Sequence, residues 1–544
     1  MHRAIAAAGL LLALLAAPLA AQPPNILWIT VEDMSPQLGC YGDDTVPTPN
    51  LDRLAGQGVR YTRAFSTTGV CAPSRCALIT GMHPTSIGAH HMRTMTRTSA
   101  IDDITDPELL AIPTYEATPP PAVKCFTEYL RAADYYCTNN AKTDYQFATP
   151  ITAWDESSGQ AHWRNRPEGK PFFAVFNFTT THESKVFQRT SPEVTDPAEV
   201  DVPPYYPDTP LVRRDIARNY DNIARMDRQV GELLEQLAAD GLADETIVLF
   251  FSDHGTCLPR GKRWVYDSGT RVPLIVRYPD RREAGTTADR LVSFVDFAPS
   301  VLSLAGISIP DHMQGQAFLG ERQAEPRKYV FMHRDRMDPA MDRIRAARDE
   351  RFQYVRNFRP NEPYIDFLPY RDRMALMQEI LRLKDADELG PEQWQFASGS
   401  KPIEELYDTQ SDPHQIMNLA GDPRHYDKLA ELRQAVDRSM DETGDLGHLS
   451  EPELIKRLWP PDGKQPTTAR PKIELRASAD GEAYELTIRC ATDGASVAYR
   501  LSPDQPWQLY HRPLKVDSAE RVEAQATRIG FKPSGIVRWT KSDE

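Results

Sequence analysis

Three short segments of this chain are apolar without interruption: NILWITV at 25–31, FFAVFNF at 172–178 and TIVLFFS at 246–252. A strand with one wet face alternates apolar and polar residues. A continuous run rich in branched and aromatic residues is buried on both faces, as strands of a parallel sheet covered by helices are. PLIVRY (273–278) is a further run of this kind, and VRYTRAFS (59–66) alternates as a strand. Helical signals fall between them. TPNLDRLAGQG (48–58) opens on Thr48 or Asn50 as a cap and closes on glycine. Residues 72–80 follow Pro73 in a first-turn position. AVKCFTEYLRAADYYCTN reads as helix then strand, and 211–241 as a long amphipathic helix ending at Gly241. The alternation predicts an α/β unit built around one large sheet.

The two ends differ from this body. MHRAIAAAGLLLALLAAPLAAQPP is a basic residue, an apolar run and small residues, which reads as a secretory leader over 1–21. The run is too short for a membrane span, and no later segment is long and apolar enough to be one. The expectation is an exported protein, most simply in a bacterial periplasm. Residues 22–340 read as the main α/β domain. Residues 341–460 read as a smaller α+β subdomain: 340–400 as a charged helical connection, 405–423 as turns and 424–442 as a last helix. The proline-rich stretch 461–471 reads as a linker. Residues 472–544 switch to strand periodicity, in YELTIRC, SVAYRL and RVEAQATR, and form a small β-sandwich-like module. That module resembles those appended to some bacterial hexosaminidases.

The formal net charge is −14, and loss of the leader removes Arg3 and no acid, giving −15. With no basic run, a nucleic-acid partner is excluded, and an anionic substrate must be held by local cations or a metal. Seven cysteines are present, an odd number for an exported chain, with Cys125 and Cys137 placed to pair. No CxxC pair suggests zinc.

Ligands in open α/β sheets sit beyond the carboxyl ends of the strands. There NILWITV delivers Glu32 and Asp33, TIVLFFS delivers Asp253 and His254, and FFAVFNF leads through three threonines to His182. Three carboxylates on one sheet edge suit Ca²⁺ or Mg²⁺. Arg75 lies one helical turn after Cys71, Lys142 follows the strand at 135–138, and Lys262 and Arg263 follow Asp253 by about ten residues. A metal, cations and a helix N-terminus at one point would hold a tetrahedral dianion, hence a sulfate or phosphate ester.

The ordered set VED, TPNLDRLAGQGVRYTRAFSTTGVCAPSRCALITG, SDHG and GKRWVYDSGTRVP resembles the formylglycine-dependent sulfatases of the alkaline-phosphatase superfamily, over about 25–440. The resemblance implies an alkaline-phosphatase-like mixed sheet between helices. It also implies that Cys71 is oxidised to formylglycine by a formylglycine-generating enzyme, with Pro73, Ser74 and Arg75 as part of the signal. It puts Glu32, Asp33, Asp253, His254 and the modified Cys71 on a metal, Ca²⁺ rather than Mg²⁺. Arg75, Lys142 and Lys262 hold formylglycine and sulfate oxygens, and His182 protonates the leaving group. Two departures stand out: Glu32 replaces the first acid of an Asp-Asp pair, and Asp144 occupies the place of a histidine that helps release sulfate.

The segment 202–237 resembles the heparan N-sulfatases, the N-sulfoglucosamine sulfohydrolases. O-sulfatases of marine and mucosal polysaccharides remain open beside them. His90, His91 and Arg93, which follow the Cys71 helix, and Arg263 are candidates for sugar contact. Two other functions stay in view: a phosphodiesterase or phosphonate hydrolase of the same superfamily, and an inactive homologue that only binds glycans.

Overall fold

The computed structural model describes residues 23–95, 107–189, 192–477, 483–516 and 521–540. The leader lies outside them. Nine strands form the main sheet: β1 (Asn25–Val31), β2 (Val59–Phe65), β3 (Tyr136–Asn140), β4 (Glu156–Ser157), β5 (Phe172–Phe178), β6 (Thr246–Ser252), β7 (Arg271–Arg277), β8 (Thr286–Ala288) and β9 (Val292–Ser293). Their order is β4-β3-β5-β1-β6-β7-β2-β8, with β9 also on β2. The central strand β1 runs parallel to β5 and β6, with Val31 beside Phe178 and Ser252. β7 is antiparallel to both β6 and β2, so the sheet is mixed.

The continuous apolar runs are explained by what covers each face. Leu27, Ile29 and Val31 pack with residues of the helix Pro210–Ala239. Ile26 and Trp28 pack with the helices Cys71–Thr80, Phe126–Ala132 and Phe297–Leu304. Both faces of β1 are therefore dry, and every residue of it is buried.

Past this sheet the sequence reading needs correction. The stretch 340–400 carries strands β11 (Ile344–Arg348) and β12 (Phe352–Asn357) before its helices, and the turn-rich 405–423 opens inside β13 (Glu404–Asp408). With β10 (Val330–Arg334) they form a four-stranded antiparallel sheet, order β10-β11-β12-β13. Their charges hid them: Arg345 and Arg348 are buried strand residues neutralised by Asp335, Asp445 and Asp267. The helix Tyr426–Thr443 covers this sheet through Leu429, Leu432 and Val436. Another helix, Glu451–Leu458, follows it.

The C-terminal strands form two small sheets. β14 (Lys472–Ala477), β15 (Tyr484–Arg489) and β18 (Leu514–Val516) make one. β16 (Ser496–Arg500), β17 (Gln508–Tyr510), β19 (Arg521–Thr527) and β20 (Val537–Thr540) make the other. This unit is tied to the rest of the chain. Ser496 Oγ donates to Glu128 Oε2 at 2.5 Å, Arg131 Nη2 to the Trp507 carbonyl at 3.1 Å, and Trp459 Nε1 to the Gly530 carbonyl at 2.9 Å. Even the proline-rich stretch is bonded to it: Thr468 N donates to the Lys532 carbonyl at 2.9 Å. All seven cysteines are free, Cys125 and Cys137 included. No helix among the described residues is long and apolar enough to cross a membrane.

Candidate active site

The helix Cys71–Thr80 is buried along its whole length, with Cys71 as its first residue. Val70 before it is extended and gives no side-chain cap, so the first backbone N–H groups point out of the helix end unmet by a capping side chain. Gly69 allows the approach to this end: a Cβ there would lie 2.4 Å from the Trp264 carbonyl oxygen. The same loop is pinned by Arg263 N donating to the Gly69 carbonyl at 2.6 Å. Lys262 and Arg263 are thus delivered beside Cys71 by backbone contact.

Parallel pairing of β1 with β6 brings Glu32-Asp33 and Asp253-His254 to the same edge. Asp33 N donates to Asp253 Oδ1 at 3.1 Å. His254 Nε2 lies 2.9 Å from Asp33 Oδ1 and 3.6 Å from Asp253 Oδ1, all three residues being fully buried. Cys71, Asp253 and His254 have ligand atoms within 4.8 Å of one another, as do Asp33, His182 and Glu183. Glu32 belongs to neither group: its Oε1 accepts from Lys142 and stands 3.7 Å from Arg75 Nη2.

The cations are arranged around these acids. Arg75 Nε donates to Asp253 Oδ2 at 2.9 Å and Nη1 to Asn177 Oδ1 at 2.7 Å, while Nη2 is buried without a hydrogen-bond partner. Lys262 Nζ reaches Asp33 Oδ2 at 2.5 Å and Glu183 Oε1 at 3.0 Å. Arg263 clasps Glu183 with two bonds of 2.9 and 2.8 Å. Asp144 accepts from Arg93 at 3.2 Å and lies 3.7 Å from Lys142. Asp33, Arg93, Asp144 and Arg263 all hold positive φ, at 54°, 62°, 54° and 75°. L-residues adopt that region at an energetic cost, and such strain gathers at functional sites.

The electrostatics follow from burial among opposite charges. Burial opposes ionisation of Asp33, yet Lys262 and His254 hold it well below the usual carboxylate range. Burial pulls Lys262 down, and Asp33 and Glu183 reverse this and hold it well above its usual value. Burial likewise pulls His254 down, but Asp253 and Asp33 push it up to about 10. Burial and Lys262 lower His182.

A cation fits this donor set. His254 Nδ1 faces the Gly255 carbonyl at 3.1 Å, an acceptor, so Nδ1 keeps its proton and Nε2 is the nitrogen that would present a lone pair to a bound cation. Those two atoms are 2.9 Å apart, yet each is a buried atom without a hydrogen-bond partner. Atoms of this kind so close call for positive charge between them, a proton in the free site or a cation in its place. The push on His254 expresses the same demand.

The sequence candidates sort unevenly. Cys71, Arg75, Asp33, Asp253, His254, Lys262, Arg263 and His182 converge on one centre, and Glu32, Lys142, Asp144 and Arg93 form its flank. His182 Nδ1 accepts from Ser184 N at 3.3 Å, which leaves its proton on Nε2. His90 needs correction as a sugar contact: it is fully buried against His91, ring centroids 4.2 Å apart, and has no open face. His91 Nδ1 accepts from Arg336 N at 3.1 Å, and its other side lines a neighbouring cavity. Met92 and Met337 share a buried cluster with Val70, Cys71 and Ala72.

Sequence reasoning missed Glu183, Asn177 and Asp338. Glu183 directly follows His182, and an acid after a buried strand was the signal already used at β1 and β6. Asp338, which opposes Arg263 and Arg93, comes from the loop after β10 and has no local motif.

Residues 24–307 match the family described as Sulfatase. The chain is 45% identical to an ulvan-active sulfatase of Formosa agariphila, covering 96% of this chain and 92% of that protein. The chain belongs to the sulfatase family. It is a sulfuric ester hydrolase. Residues 259–374 of this sulfatase match a second family, N-sulphoglucosamine sulphohydrolase, C-terminal. Human N-sulphoglucosamine sulphohydrolase is 27% identical over 78% of this chain and 91% of its own. Among solved structures, one in complex with its substrate D-glucosamine-2-N,6-O-disulfate superposes with a TM-score of 0.53 at 20% identity, covering 78% of this chain and 99% of the other. The likeness bears out the expected alkaline-phosphatase-like fold.

Proposed function

We propose that this sulfatase removes O-sulfate from a sulfated polysaccharide of the ulvan type, using formylglycine made from Cys71 and a bound Ca²⁺. The observation that carries the reading is the buried convergence of Cys71, at a helix N-terminus, with the Asp33, Asp253 and His254 donors and the Arg75 and Lys262 cations. Asp33, Asp253 and His254 would hold the cation; Glu32 joins them only by turning away from Lys142. A formylglycine hydrate there supplies an oxygen nucleophile whose charge, with that of sulfate, the cation offsets.

The chain's own side chains supply the rest. Asp253 and Asn177 fix two nitrogens of Arg75 and leave Nη2 as a ready donor to a sulfate oxygen. Lys142 and Lys262 are held charged and add to the same positive field. His182, with its proton on Nε2, stands beside Tyr370, ring centroids 6.3 Å apart. Neutral in the free enzyme, it gains proton affinity when an anionic ester enters, and then protonates the leaving sugar oxygen. Asp144, linked to Lys142 and Arg93, takes the place of the release histidine.

The ulvan-active relative spans nearly the whole chain at 45% identity, against 27% for the N-sulphoglucosamine relative, which favours O-sulfate. The second family match over 259–374 keeps N-sulfate as the alternative. Export through the leader and maturation by a formylglycine-generating enzyme belong to this proposal. The test is sulfate release from ulvan oligosaccharides, glucosamine N-sulfate and a phosphonate ester by the matured protein. Release from ulvan alone supports the reading. Release from glucosamine N-sulfate alone, or turnover of phosphonate alone, overturns it.

A further inference from the structure

A cavity of about 970 Å³ lies beside the reaction centre, its lining free of Cys71 itself. Its inner wall includes His91 and Pro339. Met92 and Met337, one and two residues away along the chain, share a buried cluster with Val70, Cys71 and Ala72. The cavity therefore opens where the reaction centre ends. From there it runs along the start of β11 to the helix Glu451–Leu458. A second cavity of about 500 Å³ continues it, sharing Arg343, His448 and Leu449 and adding Arg457.

The charges along this groove are unequal in availability. Asp342 is neutralised by Arg334 at 3.2 Å and Lys401 at 3.3 Å. Glu451 is bound by Arg336 through bonds of 2.6 and 2.9 Å, and Arg359 and Glu362 pair with each other at 3.1 Å. Glu108 and Asp366 also line the wall. Arg343 is different. Its guanidinium makes no hydrogen bond or ion pair among the described residues, and its Nε is a buried atom without a partner. It sits over the Phe358 ring, its Cζ 4.2 Å from the centroid. A half-buried guanidinium, oriented by an aromatic shelf and lacking an acceptor, is a receptor for a planar or tetrahedral anion. It lines both cavities, so whatever occupies the groove meets it.

We propose that Arg343 forms an anion subsite for a second charged sugar of the polymeric substrate, away from the sulfate that is removed. Arg343 is six positions after Met337, so its backbone lies within roughly 20 Å of the cluster around Cys71. A single sulfated sugar does not fill such a groove; a chain bearing further carboxylate or sulfate groups does. The subsite rests on the proposed glycan substrate and narrows it to a polyanion bound at more than one sugar.

The test compares the full-length matured enzyme with R343Q and R343K on ulvan oligosaccharides and on a small aryl sulfate. The expected result for R343Q is a KM on the oligosaccharide raised roughly tenfold at near-constant kcat, as one charge-assisted contact is lost. The ratio of kcat/KM between oligosaccharide and aryl sulfate falls with it, and R343K recovers part of the loss. An unchanged KM in R343Q overturns the subsite, as does an equal loss on both substrates. A wild-type enzyme that cleaves the aryl sulfate but no glycan sinks the glycan reading, not the subsite. The subsite is then decided by calorimetry with a sulfate-free oligogalacturonate and C71S protein. Binding weakened by the added R343Q supports it, and binding that is absent or unchanged by R343Q overturns it.

Discussion

Replacing Glu183 by Gln tests whether the cation cluster is held by the acid that the sequence motif hides. Glu183 is 2% exposed, and it receives two bonds from Arg263 and one from Lys262. Glutamine keeps the shape but removes the charge and turns a donor toward donors. Lys262 keeps Asp33, whereas Arg263 loses the one carboxylate it pairs with among the described residues. Breaking a buried pair from one side costs about 3–5 kcal/mol. The titration gives a figure of the same order. Burial raises Glu183, but Arg263 and Lys262 hold it at about 2 against an ordinary 4.5. That difference corresponds to about 3 kcal/mol. The folded value is depressed, so this stability is present above pH 4.5 and is lost as pH falls toward 2. Differential scanning fluorimetry of E183Q should show a Tm lower by about 3–5 °C at pH 7, because a chain of 544 residues loses only about 1 °C per kcal/mol. The gap to wild type should narrow below pH 4.5. A Tm within about 1 °C of wild type at pH 7, or a gap that widens in acid, would refute the reasoning.

Removal of the His182 imidazole in H182A should lower kcat on sugar sulfates by about 10²-fold or more, and far less on an aryl sulfate whose leaving group needs no proton. Steady-state kinetics on both substrates checks this, and equal losses would count against the proton role. Chelation with EGTA should abolish sulfate release and lower Tm, and Ca²⁺ at about 100 times its Kd should restore about 2.7 kcal/mol; an enzyme indifferent to EGTA would contradict the cation site. Deletion of 472–544 should destabilise the remainder, because Trp459, 5% exposed, loses the Gly530 carbonyl and Glu128 loses Ser496. Exposing that indole alone costs about 2 kcal/mol, and an unchanged melting curve would show the β unit to be a free appendage.

The main sheet was legible because its strands are dry on both faces. NILWITV and TIVLFFS carry no charge to confuse the period, and the acids after them land side by side through parallel register alone. The Cys71 helix was legible for its neighbours in sequence. The β10–β13 sheet was not. Its strands hold Arg345, Arg348 and Glu405 in buried positions; ion pairs with residues up to 100 positions away make the arginines tolerable, and hydrogen bonds from Tyr266, Asn357, Tyr364 and Tyr407 do so for Glu405. Glu183 and Asp338 were missed for related reasons: their partners, Arg263 and Lys262, come from another part of the chain. His90 looked like a sugar contact because histidine in a loop after an active helix usually faces solvent. Here the second sheet closes over it.

The account stands most directly on position 71. Protein produced with increasing amounts of a formylglycine-generating enzyme would be digested, and the peptide containing residue 71 weighed by mass spectrometry beside the rate of sulfate release. The account predicts a rate proportional to the fraction of chains in which the Cys71 thiol has become an aldehyde, with C71S silent. Full turnover by chains whose Cys71 is unmodified would contradict it.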